Sequence, residues 1–408
     1  MGIQCKPDLR HSVATADMNR PAKDTVQAGW RTVLKRLALI WMGVLAGLVL
    51  LEGAVRIFLP ANPDYYDSRK FTRHVAGTRF HENIPGAFSD SFIGVPVSIN
   101  SLGLRGPEIS VAKAPGTVRV LGVGDSITFG YGVRLEDAFL SVLEKSLNAT
   151  APVSVKYQVL NSGVGATGLD YYYYVLRTKA PELKPDVVIV NICLNDIHVY
   201  LDALGIAKAP PSAPRKRTPV RVLNTWLLQH SRLYLASYIQ FKSMLYRYRV
   251  LDLQKIEGGT FLPLDPPSPE QDRAWASSMD LVSKIVDLSQ QNGYRLLLVV
   301  FPVETQLSPD MLKLYRDRFG IRLGPEVLSG EPQRRIAEFA ASRGVPVLDL
   351  LPVFREHASE QLYLRNKSIN YDPEHPSVRG HQLAADAMFQ ALRTDWPTLF
   401  AATPQSAP

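Results

Sequence analysis

The chain has 408 residues, 46% apolar and 21% charged, without a low-complexity tract. That composition fits one large or two small globular domains and excludes a fibrous or wholly disordered chain. The formal charge of +8 gathers in the first 36 residues and in Arg215-Lys216-Arg217 with Arg221. A basic arm beside a membrane segment accounts for it, and without a nucleic-acid module no nucleic-acid partner is expected. Two cysteines, Cys5 and Cys193, give no disulfide framework, and no Cys/His cluster suggests a metal; no cofactor is expected.

Residues 1–36 read as a disordered, basic cytoplasmic tail. Residues 37–51 carry no charge, and the apolar character resumes to residue 59, enough helix for about 34 Å. Glu52 and Arg56 interrupt it, four apart on one helix face, so they can pair while Arg56 reaches the interface. Pro60 ends the run. The rival is a cleaved signal peptide, but no small-x-small site follows. Arg20, Lys23, Arg31, Lys35 and Arg36 outnumber Arg69, Lys70 and Arg73 beyond it. We therefore expect a single-pass anchor at 37–59, with everything after residue 60 extracytoplasmic.

Residues 60–117 read as a loop-rich lead-in. From residue 118 apolar runs alternate with helical patterns, the signature of a parallel sheet covered by helices. Strands are expected at 118–123, 157–161, 186–193, 294–303 and 345–351, and helices at 138–147, 169–178, 332–342 and 380–393. Between the third and fourth strands lies an insertion at about 197–292. It holds a Pro/basic linker at 209–219, an aromatic helix at 227–250, a Pro-rich stretch at 262–269 and a helix at 270–291. It reads equally as a substrate lid or as a packing ornament. The domain expected is 118–400, with a disordered tail at 401–408.

Four pieces carry chemistry. Gly124-Asp125-Ser126 ends the first strand, where a serine in a strand-to-helix turn exposes its hydroxyl and a helix N-terminus favours developing negative charge. A dinucleotide fingerprint is excluded because its third glycine would fall on Ile127, and no Walker lysine is present. The run 161–168 (NSGVGATG) can turn backbone N–H groups toward the same crevice, or be an ordinary turn. Asn195-Asp196 follows the third strand, where an asparagine can offer N–H to an oxyanion or serve as a cap. In Asp372-Pro373-Glu374-His375 the spacing lets Asp372 reach Nδ1 of His375, leaving Nε2 for the serine proton. His381, in the following helix, reads as structural or surface. All four pieces belong at one rim of an open parallel sheet, where they make a complete acyl-transfer set.

Together these motifs resemble the SGNH/GDSL hydrolases over about 96–391, interrupted by the insertion. The lead-in NSLGLRG (100–106), RVLGVGDSITFGYGV (119–133) and Lys184-Pro185-Asp186 look like a bacterial branch with N-terminal anchors. The resemblance implies a doubly wound α/β/α three-layer sandwich around a five-stranded parallel sheet, flavodoxin-like. It makes Ser126 the nucleophile and first oxyanion donor, Asn195 a side-chain donor, and Asp372 and His375 the DxxH block. The second-block glycine falls on Ala166, with Gly163 and Gly165 beside it as other backbone donors. The GxND block reads Cys193-Leu194-Asn195-Asp196, so Cys193 stands where its glycine is expected, and both replacements are expected to narrow the pocket. The implied activity is cleavage of an O-acyl ester, a short acyl group, on a small molecule or a carbohydrate. Its rivals are an O-acyltransferase of surface polysaccharide, a silent carbohydrate-binding or scaffold protein, and a thioesterase or lysophospholipase.

Overall fold

In a computed structural model the residues described are 22–58, 71–78, 80–198, 200, 218–248, 269–319, 323–365 and 372–400. The chain divides into two compact units, Met1–Leu59 and Pro60–Pro408. Expectations for 1–21, 209–217, 262–268 and 401–408 lie outside the described residues.

Among the described residues the first unit is one helix, α1 (Ala22–Phe58). Its stretch Thr32–Phe58 is long and apolar enough to cross a membrane, about 40 Å of helix. Glu52 and Arg56 pair at 2.7 Å across one turn, so the two charges within the apolar stretch neutralise each other. The helix starts at Ala22, inside the stretch expected to be disordered.

In the second unit the lead-in is more ordered than a loop. Strands β1 (Thr72–His74) and β2 (His81–Asn83) pair antiparallel, as do β3 (Phe88–Phe92) and β4 (Val95–Ser98). Their alternation is too short to stand out in the sequence. Phe71, Phe92, Val97 and Ile99 bury themselves against Phe129 and Tyr131, with the Phe71 and Phe129 rings stacked at 5.5 Å.

The remaining elements follow in order: β5 (Thr117–Val123), α2 (Ser126–Phe129), α3 (Phe139–Thr150), β6 (Lys156–Asn161), α4 (Leu169–Thr178), α5 (Ala180–Leu183) and β7 (Val187–Cys193). After them come α6 (Pro219–His230), α7 (Arg232–Arg247), α8 (Pro269–Gln291), β8 (Arg295–Phe301), α9 (Pro309–Phe319), α10 (Glu331–Ser342), β9 (Val347–Asp349), α11 (Leu351–Glu356) and α12 (Val378–Asp395). The sheet has the order β6-β5-β7-β8-β9 with every pairing parallel. This is the doubly wound five-stranded architecture the motifs implied.

Period-two alternation decides which helices cover which face. Val187, Ile189 and Cys193 pack with Val120, Leu297, Val299 and Phe301 against α3, α11 and α12. Val188, Val190 and Ile192 pack with Leu121, Val123, Leu298 and Val300 against α4, α8 and α10. All seven residues of β7 are buried, the reason its sequence is apolar on both faces, Asn191 apart, rather than alternating. Each large aliphatic side chain so buried contributes about 1.5–3 kcal/mol of transfer free energy.

The insertion contains a pair of helices, α6 and α7, where one aromatic helix was expected; the break falls at Ser231. Ser231 Oγ accepts from Tyr234 N–H at 3.0 Å, a local bond that starts the second helix. The helices α9 and α11 were not anticipated. Both begin beside a proline; α9 lies in a mostly polar stretch, and α11 has only six residues, too few to show a helical period.

Candidate active site

The nucleophile turn begins where β5 ends. A Cβ at Gly124 would lie 1.9 Å from Thr128 Oγ1, so only glycine lets α2 fold back on the strand. Asp125 caps that turn, its Oδ1 accepting from Ile127 N–H at 2.9 Å. Its Oδ2 accepts from Cys193 Sγ at 3.2 Å and from the Ser126 hydroxyl at 3.4 Å. Burial raises the Asp125 carboxyl above its usual range, against these hydrogen bonds and the charge of His375. The helix behind Ser126 is a single turn, so the expected dipole contribution shrinks to the first N–H groups.

Arg105, from the lead-in, holds the far end of the same turn. Its guanidinium donates to the carbonyls of Phe129 (2.5 Å), Gly130 (2.8 Å) and Val133 (2.8 Å), and lies over the Phe129 ring. Beneath, His381 is fully buried and accepts from Phe139 N–H through Nδ1 at 3.3 Å. Burial, with the positive charges of Arg105 and His375, pushes it down to about 3, so it stays neutral.

The second half of the site is the turn from Asp372 to His375. Asp372 Oδ1 accepts from the backbone N–H of Glu374 (3.1 Å) and His375 (3.0 Å), which closes the turn. Asp372 Oδ2 lies 2.8 Å from His375 Nδ1, and His375 Nε2 lies 2.8 Å from Ser126 Oγ. Two outside bonds fix the turn in place: Glu304 N–H donates to Pro373 O at 2.8 Å, and Leu364 N–H to His375 O at 2.9 Å. Glu304, just beyond β8, is itself held by the Tyr315 hydroxyl at 2.6 Å and by Arg365. The Tyr131 ring stacks on the imidazole at 4.2 Å.

The imidazole is 12% exposed and Asp372 8%. Burial opposes charge on His375, but Asp372, with smaller help from Glu374 and Asp125, outweighs it and raises the imidazole above its ordinary value. Burial likewise opposes the Asp372 carboxylate, and His375 with the two turn N–H groups overcomes it and lowers that carboxyl.

On the facing side, a Cβ at Gly165 would lie 3.7 Å from Ser126 Cβ, so this backbone runs beside the nucleophile. Ala166 follows with φ +58, a left-handed conformation that glycine takes at less cost, and its side chain is exposed. Gly163 does not serve as a donor. Its N–H donates to Asn161 Oδ1 at 2.9 Å, and a Cβ there would sit 2.2 Å from Phe129 N. It is a close-packing position instead. Cys193 does not narrow the pocket either, because its side chain is buried in the core.

Asn195 stands after β7 and donates from Nδ2 to Glu374 Oε2 at 3.1 Å, while its Oδ1 is buried without a partner among the described residues. Asp196 accepts from Cys193 N–H (2.9 Å) and from the Tyr172 hydroxyl (2.9 Å), pinning the short turn that carries Asn195. The structure therefore brings Ser126, His375 and Asp372 into one hydrogen-bonded chain, with Gly165 alongside. Arg105, Tyr131, Glu304 and Glu374 were not singled out from the sequence. Glu374 stands inside the DxxH block, Arg105 inside NSLGLRG and Tyr131 inside the GDS passage, whereas Glu304 carried no signal.

A family model described as "GDSL-like Lipase/Acylhydrolase family" matches residues 123–383. No curated protein matches. Among solved structures the chain is similar to TesA, with 14% identity, 68% of this chain and 98% of that one covered, and a TM-score of 0.38. It is similar to a catalytic mutant of Axe2, an acetylxylan esterase from Geobacillus stearothermophilus, at 14% identity, 67% and 93% coverage, and a TM-score of 0.38. A lipase/acylhydrolase from Enterococcus faecalis gives 14%, 68% and 96%, and 0.36.

Proposed function

The chain belongs to the GDSL-like lipase/acylhydrolase family and is an ester-hydrolysing enzyme, and we propose that it works through an acyl-enzyme on Ser126. The observation that carries this reading is the unbroken chain from Asp372 through His375 to Ser126, each link 2.8 Å long. His375 Nε2 takes the hydroxyl proton as Ser126 Oγ attacks the ester carbonyl, and Asp372 stabilises the imidazolium. The tetrahedral oxyanion is held by the N–H of Ser126, a backbone N–H at Gly165 or Ala166, and Nδ2 of Asn195. His375 then protonates the departing alcohol, and water repeats the sequence to release the acid.

Two further residues act by positioning. Tyr131 holds the imidazole plane, and its ring face favours the imidazolium. Glu374 orients Asn195: its carboxylate can face only the N–H₂ end of the amide, so it sets which end points where. Gly165, Asn195 and Glu374 surround the nucleophile with small and polar groups. This suits a short acyl group on a hydroxylated alcohol, such as a sugar, better than a fatty chain. We read α1 as a single-pass anchor, with the hydrolase unit extracytoplasmic by the distribution of basic residues around it.

The test is an acyl-donor panel of acetylated sugars, aryl acetates, long-chain lysolipids and thioesters, with wild type and Ser126→Ala. The expected order puts short oxygen esters first, with all turnover lost in the variant. Preference for long-chain donors would overturn the short-acyl reading, and turnover by Ser126→Ala the nucleophile.

A further inference from the structure

Outside α1, eleven large apolar side chains are exposed among the described residues; six of them lie on the helix pair α6–α7 and a seventh, Tyr248, directly after it. On α6, Val220, Leu223 and Trp226 recur at three-residue spacing, which puts them along one side. Phe241 and Met244 on α7, and Tyr248 just beyond its end, do the same at spacings of three and four. The pair is joined by the Tyr234 hydroxyl donating to Asn224 Oδ1 at 2.6 Å, while Leu235 of α7 is buried. One side of this hairpin is therefore core, and another presents aliphatic and aromatic side chains to solvent.

The charge of the same segment is one-sided. Between Asp202 and Asp252 the chain carries nine Lys or Arg and not one Asp or Glu. In a chain with 46 basic and 38 acidic residues, 49 consecutive positions without an acid are a marked local excess. A second copy of this chain would bring like charge against like. A soluble polyanion would satisfy the cations and leave the apolar side chains in water. A lipid surface with anionic headgroups satisfies both at once, with Trp and Tyr suited to the interface and cations to the headgroups.

We propose that the α6–α7 hairpin is a membrane-docking element that lays its apolar side chains into an anionic lipid surface. The surface is separate in kind from α1: it would lie on the bilayer rather than cross it. Docking draws on apolar burial and on headgroup charge together, so it strengthens with anionic lipid and weakens with salt.

The experiment uses the full chain in nanodiscs of phosphatidylcholine alone or mixed with phosphatidylglycerol, so that α1 is inserted in every arm. In a Cys5→Ser background, with native Cys193 buried, a nitroxide is attached to a cysteine introduced as Trp226→Cys or, separately, Met244→Cys, and to Val153→Cys as a solvent reference; Val153 is fully exposed. Access is read with lipid-soluble oxygen against a water-soluble nickel chelate. In anionic nanodiscs the labels at 226 and 244 should lose nickel access at least about fivefold relative to 153, and regain it as salt is raised. Labels as open to nickel as that at 153 in anionic nanodiscs overturn the proposal. So does equal protection by dextran sulfate in detergent, which marks a polyanion site, or spin–spin broadening between copies, which marks self-association. Hydrolysis of a soluble aryl ester by each labelled protein shows that its fold is intact and is not the readout of docking.

Discussion

Removing the Glu374 carboxylate tests how the oxyanion donor is aimed. Asn195 donates one N–H to Glu374 at 3.1 Å, and its Oδ1 has no partner among the described residues. Glu374 is thus what distinguishes the two ends of that amide. A charge-assisted hydrogen bond contributes about 1.5–3 kcal/mol, and a lost oxyanion donor costs about 2.7–4 kcal/mol. If Glu374→Ala lets the amide turn over part of the time, kcat falls by up to the cost of losing Asn195, and we expect about tenfold. Asn195→Ala should cost about 10²- to 10³-fold. KM for a short aryl ester should change little in either, because the bond to the oxyanion exists only in the transition state. Glu374→Gln keeps an acceptor but adds a donor that can pair with Asn195 Oδ1, so it should fall between wild type and Glu374→Ala. The decisive assay is the double-mutant cycle, measured at a pH above the imidazole titration, since Glu374 also raises His375. Asn195→Ala/Glu374→Ala should be no slower than Asn195→Ala alone. Additive losses would refute the positioning role, and a faster Glu374→Ala enzyme would mean that the carboxylate blocks the donor instead.

Because His375 is raised above its ordinary value, the neutral imidazole that acts as base forms only as pH climbs through that raised value. For a neutral ester, kcat/KM should rise with pH with its midpoint above about 6.5, the ordinary histidine value. Asp372→Asn should lower the midpoint and reduce kcat by about 10⁴-fold; a midpoint that does not move would contradict the pairing. Arg105→Ala strips three buried carbonyls of their donor, and urea unfolding should show a loss of about 3 kcal/mol or more. The two neighbouring small residues should behave oppositely. Ala166→Gly relieves the left-handed backbone and should leave activity within about threefold, since the donor there is an N–H. Gly163→Ala sets a methyl group against the backbone of the nucleophile turn and should yield little folded, active enzyme.

The fold was legible where burial on both faces forced a continuous apolar run, as in β7, and where helices kept a strong apolar period, as in α4, whose bounds agree to the residue. The antiparallel pairs β1–β2 and β3–β4 escaped because their strands have three to five residues and leave almost no period to read. In the site, Ser126, Asp372 and His375 were readable because each motif is local and the spacing of Asp372 and His375 fits one turn. Arg105 was not, since it acts on carbonyls 24 to 28 residues downstream. Glu304 was hidden for the same reason: its backbone reaches a turn some seventy residues away. The roles of Gly163 and Cys193 emerge only in the fold, because a glycine for close approach and a glycine for donation look alike in sequence.

The central claim is that Ser126 Oγ forms the covalent bond to the acyl group. Treatment with a fluorophosphonate ester, followed by mass mapping of the digested protein, tests it directly. One adduct is expected, on the peptide carrying Ser126, appearing in step with loss of esterase activity. Inactivation with Ser126 unmodified, or with the adduct on another residue, would contradict it.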